Sequence, residues 1–284
     1  MNGRHPDYIS AASEIARRAG TLLMEYFAQG VKTEYKGLGT VDVVTEADRV
    51  SEKLIVDSLR AVFPSHGVVG EEGARSQGSG EFLWYVDPLD GTTNFAHGFP
   101  VFCVSLGLVR SNEVLAGVIF DPTRSELFTA ERGAGATLNG RRIQVSKIAR
   151  LGESLLGTGF PSKKRHLNPN IYFYHQLTLK SHGIRRPGSA ALDLTCVASG
   201  RYDGYWEFNL NPWDTSAGIL LVEEAGGKVT HFDGTKVDVA ASREVLATNG
   251  LIHQELLDQM QAIMQGRGLE ELPNLAEFTK SRHS

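Results

Sequence analysis

Residues 84–95 constrain the fold of this chain most, because they read WYVDPLDGTTNF. An apolar run that ends in Asp87 is typical of a buried strand that delivers a carboxylate at its carboxyl end. Asp90 follows three residues later, and the Gly-Thr-Thr after it can open a turn or helix whose free N–H groups bind a phosphate. Carboxylates alone would repel a phosphate monoester, so divalent cations have to lie between them. The segment therefore predicts a metal-dependent phosphate site.

The same residues admit a simpler interpretation, in which Asp87-Pro88 and Asp90-Gly91 only mark turns. Their joint occurrence after a predicted strand favours the phosphate site. Further polar segments support that site, namely residues 45–48 (TEAD), 70–73 (GEEG) and 211–214 (NPWD), the last at a predicted loop-to-helix junction.

Length and composition restrict the class of protein. The 284 residues are enough for one large domain or two fused lobes, and 41% hydrophobic with 22% charged residues is typical of a globular protein. A net charge of −4 argues against a general nucleic-acid binder. No apolar run approaches the roughly 20 residues that span a bilayer, and the N-terminus lacks a signal-peptide pattern. We expect a cytoplasmic protein with no nucleic-acid or membrane partner.

Helical spacing of apolar residues predicts a first helix between residues 8 and 27, with Gly30 as its stop. A second helix is predicted from about residue 47 to residue 62, just before Pro64. Thr45, with the acidic Asp48 three residues on, resembles a helix start, so the local role of Asp48 is capping.

After residue 100 the pattern changes to short runs that are typical of neighbouring antiparallel strands, at 101–109, 114–120 and 126–129. The second half alternates strand-like with helical runs, which predicts an α/β lobe. The strands are expected at 154–157, 202–208, 228–230 and 245–248, and the helices at 171–181, 190–199, 213–225 and 252–264. We place a boundary near residue 145, between an N-terminal α+β lobe (1–145) that carries most metal ligands and a C-terminal α/β lobe (146–284) that carries Asp214.

From about residue 45 to residue 250 the chain resembles the inositol monophosphatase family, within the magnesium-dependent, lithium-sensitive phosphatases. The likeness lies in residues 70–72, 87–95, 188–191, 213–214 and 225–227. The resemblance implies a layered αβαβα sandwich of the inositol monophosphatase and fructose-1,6-bisphosphatase type. It also implies a homodimer.

The resemblance implies a ligand set for the metals. Glu71, Asp87 and the Leu89 carbonyl would hold a first ion, and Asp87, Asp90 and Asp214 a second, so that Asp87 bridges the two. Glu71 would also contribute, through water, to a weaker third site. An oxygen-only set without paired histidines or cysteines favours Mg²⁺, with Mn²⁺ as the alternative, over zinc. We expect two or three ions per subunit.

The attacking group is expected to be a metal-activated water, since no serine or cysteine lies in a recognisable arrangement with a base. By resemblance, Thr92 and Asp48 orient and deprotonate this water, and Glu71 counts with them as catalytic. Asp90 and the N–H groups of Gly91, Thr92 and Thr93 would contact the substrate, the N–H groups by holding phosphate oxygens.

A pocket for the substrate hydroxyls is implied at Gly188, Ser189, Ala190 and Glu207. Without the resemblance, Glu207 would be interpreted as a solvated carboxylate at a strand end.

These features predict a Mg²⁺-dependent phosphatase that converts myo-inositol monophosphate, a small phosphorylated polyol, to inositol and phosphate. One alternative is a sugar bisphosphate or 3′-phosphoadenosine 5′-phosphate phosphatase. Another is a protein of the same fold that acts mainly through a macromolecular partner.

Overall fold

The computed structural model of the chain describes residues 7–30, 33–35, 43–160, 168–241, 243–272 and 274. In these residues the helices are α1 (Tyr8–Gln29), α2 (Glu46–Val62), α3 (Thr92–Ala96), α4 (Asn170–Thr178), α5 (Ala190–Ala198), α6 (Pro212–Glu224), α7 (His253–Met264) and a 3₁₀ helix (Leu151–Glu153). None of these helices is both long enough and apolar enough to cross a membrane.

The described strands form three sheets. A small sheet pairs β1 (Thr33–Tyr35) with β2 (Val43–Thr45). The large sheet contains β3 (Gly67–Gly70), β4 (Arg75–Ser76), β5 (Phe82–Asp90), β6 (Cys103–Arg110), β7 (Glu113–Asp121), β8 (Glu126–Glu131), β9 (Gly135–Leu138) and β10 (Arg141–Arg142). The third sheet contains β11 (Leu155–Thr158), β12 (Gly183–Arg185), β13 (Gly204–Phe208), β14 (Lys228–Thr230) and β15 (Glu244–Thr248).

Sheet order determines which segments meet. In the large sheet the order is β10-β9-β8-β7-β6-β5-β3-β4, and only the β3–β5 pair is parallel. In the third sheet the order is β12-β11-β13-β15-β14, with β11 parallel to both of its neighbours. The parallel pairing of β3 with β5 matters for the site, because parallel strands end at the same edge of a sheet.

The sheets and helices stack in five layers. Helices α1 and α2 cover one face of the large sheet, and their core includes Leu23, Ile55 and Trp84. Helices α5 and α6 lie between the two larger sheets, while α4 and α7 cover the outer face of the third sheet. The αβαβα architecture implied by the resemblance is confirmed.

The first two helices confirm the periodicity of the sequence. Helix α1 begins after Asp7, whose side chain accepts from the Ser10 N–H at 3.1 Å, and ends at Gly30 with φ of 78°. Helix α2 begins one residue earlier than predicted, because Thr45 and Asp48 form a complete capping box.

The predicted antiparallel run after residue 100 is also confirmed, as β6, β7 and β8. Strand β5 is longer than expected. It continues past Asp87 to Asp90, with an irregular register between them, because Pro88 has no N–H to donate to β6. Seven short strands of the described residues were not predicted, namely β1, β2, β3, β4, β9, β10 and β12, although β11 and β14, which are as short, were predicted.

Candidate active site

The parallel strands β3 and β5 bring the first two acidic residues together. Glu71 directly follows β3, and its N–H donates to the Val86 carbonyl of β5 at 3.1 Å. Asp87 is only 1% exposed, and its Oδ1 accepts from the Leu89 N–H at 3.0 Å. The Glu71 and Asp87 carboxylates are close enough to share a hydrogen bond when one of them is protonated.

Asp90 joins β5 to the first turn of α5. Its Oδ2 accepts from the Ser189 hydroxyl and from the Ala191 N–H, both at 2.7 Å. Asn94 connects the same regions, because its side-chain amide donates to the Val101 carbonyl at 2.8 Å and to the Pro187 carbonyl at 2.9 Å. The structure therefore brings the segment that contains Ser189 against Asp90, although nearly a hundred residues separate them.

Asp214 enters from the first turn of α6. Its Oδ2 accepts from the backbone N–H of Asn211 at 2.7 Å, so Asp214 also closes a capping box. Trp213, the residue before it, lies under the guanidinium group of Arg75, with 5.5 Å between Cζ and the ring centroid. One oxygen of Asp214 is thus held by the helix end, and the helix end is packed against β4.

Four carboxylates repel one another in this region. Burial raises the pKa of Glu71, Asp87, Asp90 and Asp214, with that of Asp214 raised to about 8. Mutual repulsion adds to the burial effect for Glu71, Asp87 and Asp214. Among the described residues, no lysine, arginine or histidine forms an ion pair with any of the four. The site therefore concentrates negative charge that no cationic side chain of the described residues balances.

This donor set fits a hard divalent cation. It contains only oxygen, which is what Mg²⁺ and Mn²⁺ prefer, and no cationic side chain in the described part of the chain pairs with these buried carboxylates. The oxygens do not form a closed ligand shell, however, since no three His, Cys, Asp or Glu side chains of the described chain are grouped as a finished metal site. The Leu89 carbonyl lies 3.0 Å from the Thr92 hydroxyl, for whose single proton it competes with Asp48, and it has lone pairs available to an ion when that proton is donated to Asp48.

Thr92 and Asp48 are in contact at the start of α3. The Thr92 hydroxyl lies 3.1 Å from Asp48 Oδ1, to which it can donate. Asp48 Oδ2 accepts from the Thr45 N–H at 2.8 Å and from the Thr45 hydroxyl at 2.5 Å. Burial raises the pKa of Asp48 to about 6, against the effect of the Thr45 hydrogen bonds. Gly91, with φ of 101°, makes the turn that leads into the helix.

Glu207 lies on β13 beside the site. Its Oε2 accepts from the Tyr205 hydroxyl at 2.5 Å, and its carboxylate rests on the backbone of Gly159, where a Cβ would overlap it. Burial raises the pKa of Glu207 to about 7, while Asp90 adds repulsion and Arg186 opposes it. The Glu207 carboxylate therefore lies close enough to Asp90 for the two charges to repel each other, and it packs against the backbone of Gly159.

Several residues at the site were not predicted from the sequence. They are Ser51 and Glu52 on α2, Asn94 within residues 87–95, Tyr205 on β13, and Asp193 on α5. Asp193 is 1% exposed, and neither of its carboxylate oxygens has a hydrogen-bond partner in the described chain. Only Asn94 had a sequence signal, because it lies inside residues 87–95. The other four belong to no motif, so nothing in the sequence distinguishes them from ordinary helix or strand residues.

Comparison with known proteins gives a consistent result. The model of the inositol monophosphatase family matches residues 6–265. A Synechocystis protein named inositol-1-monophosphatase is 45% identical over 91% of this chain and 90% of its own length. The Pseudomonas aeruginosa protein named Nus factor SuhB is 43% identical over 89% of this chain and 95% of its own. The solved inositol monophosphatase of Anabaena superimposes with a TM-score of 0.79 at 42% identity, over 95% of this chain and 98% of that one.

Proposed function

The chain belongs to the inositol monophosphatase family, and from that premise we propose that it hydrolyses phosphate monoesters with Mg²⁺, myo-inositol monophosphate being its substrate. The products are inositol and inorganic phosphate. The observation that supports this most is the group of four carboxylates, Glu71, Asp87, Asp90 and Asp214, which has no balancing protein cation in the described chain.

The metal ligands are proposed as the sequence suggested them. Glu71, Asp87 and the Leu89 carbonyl hold one ion, and Asp87, Asp90 and Asp214 hold another. When bound, these ions neutralise the carboxylates, bind the phosphate and stabilise charge on the attacking and leaving oxygens. Two or three Mg²⁺ ions per subunit suit this set, and Mn²⁺ can replace them because it prefers the same ligands.

Asp48 and Thr92 provide the base. The Thr92 hydroxyl donates its proton to Asp48 Oδ1. The lone pairs of the same hydroxyl oxygen can then accept a hydrogen bond from the attacking water. A carboxylate with a pKa of about 6 is a better proton acceptor than an ordinary aspartate, and is still ionised at neutral pH. The pair therefore orients the water and takes up its proton.

Phosphate and polyol are held by opposite sides of the site. The N–H groups of Gly91, Thr92 and Thr93 begin a helix and have no acceptor within it, so they are available to phosphate oxygens. Glu207, fixed by the Tyr205 hydroxyl, accepts from hydroxyl groups of the substrate. The segment of Gly188, Ser189 and Ala190, which is hydrogen-bonded to Asp90 through Ser189, lines the same pocket.

The test is a phosphate-release panel with Mg²⁺ over inositol 1-phosphate, fructose 1,6-bisphosphate, 3′-phosphoadenosine 5′-phosphate and β-glycerophosphate. We expect the highest kcat/KM for inositol 1-phosphate, and loss of release from it in Asp87→Asn. Equal turnover of all four substrates would contradict the assignment to inositol phosphate, but the assignment as a phosphatase would still hold. Faster turnover of either of the two bisphosphates would favour the alternative substrates.

We also propose that millimolar Li⁺ and excess Mg²⁺ inhibit the enzyme. The second set of ligands, Asp87, Asp90 and Asp214, would have to release its ion before product phosphate leaves. Lithium is small and carries one charge, so it can enter such a site without replacing the full charge of a divalent ion. Steady-state assays that vary Mg²⁺ against Li⁺ at saturating substrate check this, and activity indifferent to Li⁺ would contradict it.

The assembly is proposed to be a cytoplasmic homodimer. A second candidate function, binding to a macromolecular partner, is favoured by one observation, the name Nus factor SuhB of the Pseudomonas relative. Sedimentation of the pure chain tests the dimer. Binding to Nus factors by wild type and by Asp87→Asn would separate the two roles, since a docking role does not need metal ligands.

A further inference from the structure

Helix α2 presents three polar side chains to three different parts of the site. Asp48, Ser51 and Glu52 are spaced i, i+3 and i+4, so they share one face of the helix. Asp48 accepts from Thr92 at the start of α3, and the Ser51 hydroxyl donates to the Pro88 carbonyl at 3.1 Å. The third side chain, Glu52, has no place in the mechanism described above.

Glu52 binds the turn that carries Glu71. It is 6% exposed, and its two carboxylate oxygens accept from two backbone donors. Oε2 accepts from the Glu72 N–H at 2.8 Å, and Oε1 accepts from the Ala74 N–H at 3.0 Å. These donors lie on the C-terminal side of Glu71, so the bidentate contact fixes the backbone of the turn that follows it.

Gly70 permits this contact on the other side of Glu71. A Cβ at Gly70 would overlap the Glu52 carboxylate, so only glycine lets the carboxylate approach the chain there. The Gly70 N–H also donates to the Ala74 carbonyl at 2.9 Å, which closes the turn. The backbone of the turn is therefore held around Glu52, and Glu71 lies within it.

We propose that Glu52 is a positioning residue, whose carboxylate orders residues 70–74 and thereby holds Glu71 where it can bind metal. The inference rests on the proposed function. Glu52 is not among the proposed ligands of the metal or the substrate. It acts through two backbone N–H groups, and it shares its helix with the base Asp48, so that one rigid element sets the base, the Pro88 backbone and the Glu71 turn relative to one another.

The test measures Mg²⁺ binding by calorimetry in the absence of substrate, in wild type, Glu52→Ala and Glu52→Gln. We expect the Kd for Mg²⁺ to rise by roughly 10- to 100-fold in Glu52→Ala, as is typical when a partner of a metal ligand is lost. Glu52→Gln should be intermediate, because its amide keeps one acceptor oxygen but turns an NH₂ group toward the second N–H. Asp57→Asn, on the exposed side of the same helix, is the matched control and should bind Mg²⁺ as wild type does.

A kinetic split separates positioning from a general loss of structure. The Mg²⁺ concentration for half-maximal activity should rise with the Kd, while kcat at saturating Mg²⁺ returns to within a few-fold of wild type. Hydrogen exchange at the Glu72 and Ala74 amides should become faster in the metal-free Glu52→Ala protein. A role in folding alone would lower the melting temperature without changing the Kd for Mg²⁺.

Gly70→Ala provides a second route, because its new methyl group displaces the Glu52 carboxylate without removing it. Its Mg²⁺ affinity should fall as in Glu52→Ala, and the double variant should be no worse than either single one, since both remove the same contact. Unchanged Mg²⁺ affinity in folded Glu52→Ala, or in Gly70→Ala, would overturn the inference. A wild-type protein that binds no Mg²⁺ would instead contradict the proposed function, and the inference with it.

Discussion

At the scale of single residues, the contact between Thr92 and Asp48 gives the most direct test of the chemistry. Thr92→Ala removes the hydroxyl that lies 3.1 Å from Asp48 Oδ1. We expect kcat to fall by roughly 10² or more with little change in KM, because the hydroxyl acts on the water during the chemical step. Thr92→Ser keeps the hydroxyl and should retain most of the activity. Wild-type kcat in Thr92→Ala would remove the residue from the mechanism.

The metal ligands make a second prediction. Asp87→Asn and Asp214→Asn each remove one charge from a shared set but preserve shape, and the amide oxygen introduced at position 87 can still accept from the Leu89 N–H. We expect nearly all activity to be lost while the protein stays folded, since the lost charge weakens Mg²⁺ binding directly. Phosphate release, Mg²⁺ calorimetry and circular dichroism check this. A variant with the metal affinity and turnover of the wild type would show that its aspartate was wrongly assigned.

Sequence reasoning identified the residues that carry charge but not the hydrogen bonds that hold them in place. Asp87, Asp90 and Thr92 fall in one short segment, so their joint presence is visible along the chain. Asp90 is fixed by Ser189, 99 residues away in the chain, whereas Glu207 is fixed by Tyr205, only 2 residues before it on β13. A hydroxyl or a tyrosine at such a position is ordinary in sequence, and only the tertiary structure shows where its hydrogen bond goes.

At the scale of elements, close packing of α6 on the large sheet places Asp214. Two glycines of the sheet face this helix. A Cβ at Gly117 would lie 2.8 Å from the Ala217 carbonyl oxygen, and one at Gly107 would overlap the Ser216 side chain. The atoms that a methyl group at Gly117 would meet belong to the backbone of α6, and they cannot rotate away as the end of a side chain can. Helix α6 would therefore have to move away from the sheet to admit the methyl group.

Gly117→Ala should therefore destabilise the protein by roughly 1–3 kcal/mol, the usual cost of overpacking. Urea unfolding followed by circular dichroism measures the change. Gly152→Ala is the control, because the atom nearest to a Cβ at Gly152 would be the Lys180 carbonyl oxygen, 4.0 Å away. Its unfolding midpoint should equal that of the wild type within error. Equal midpoints for Gly117→Ala and wild type would mean that α6 does not rest on this glycine.

Elements with a clear apolar pattern were predictable whether they were long, as α1 is, or short, as β14 is. The periodicity of α1 and α2 gave their bounds to within about two residues, since each buries one continuous apolar stripe. Strand β13 begins at Gly204, two residues later than expected, because the Tyr202 N–H still donates to the Cys196 carbonyl of α5. The parallel pairing of β3 with β5 had no signal at all, yet it is what brings Glu71 to Asp87.

At the scale of the whole molecule, the five layers followed from the resemblance and not from any pattern in the sequence. The boundary near residue 145 stays a prediction. The buried cluster between the two larger sheets draws side chains from both halves of the chain, among them Ile119, Phe128, Leu194 and Leu220. The site lies at this junction, because β5 supplies Asp87 and Asp90 while α6 supplies Asp214.

Concentrated negative charge links metal, pH and stability in the whole molecule. Without metal, the pKa of Asp214 is raised from 3.8 to about 8, so the folded protein keeps a proton that the unfolded chain has lost. A raised pKa of this kind contributes stability that is fully present below about pH 4 and is lost as the pH rises through about 8. Glu207, with a pKa raised to about 7, has the same sign. His253, with a pKa lowered to about 4, has the opposite sign, and its contribution grows as the pH rises toward 6.5.

We therefore expect Mg²⁺ to stabilise the protein more at high pH than at low pH, because the ion binds the ionised carboxylates and has to displace their protons. Melting temperatures in EDTA and in saturating Mg²⁺, compared across the neutral range, measure the difference at each pH. His253 affects both conditions alike and cancels from this difference. In Asp214→Asn, the difference in melting temperature between Mg²⁺ and EDTA should rise less with pH. In EDTA at high pH this variant should melt at a higher temperature than wild type, because the ionised Asp214 is most destabilising there. A Mg²⁺ effect that is the same at every pH, or that shrinks as the pH rises, would show that protons and metal do not compete for these carboxylates.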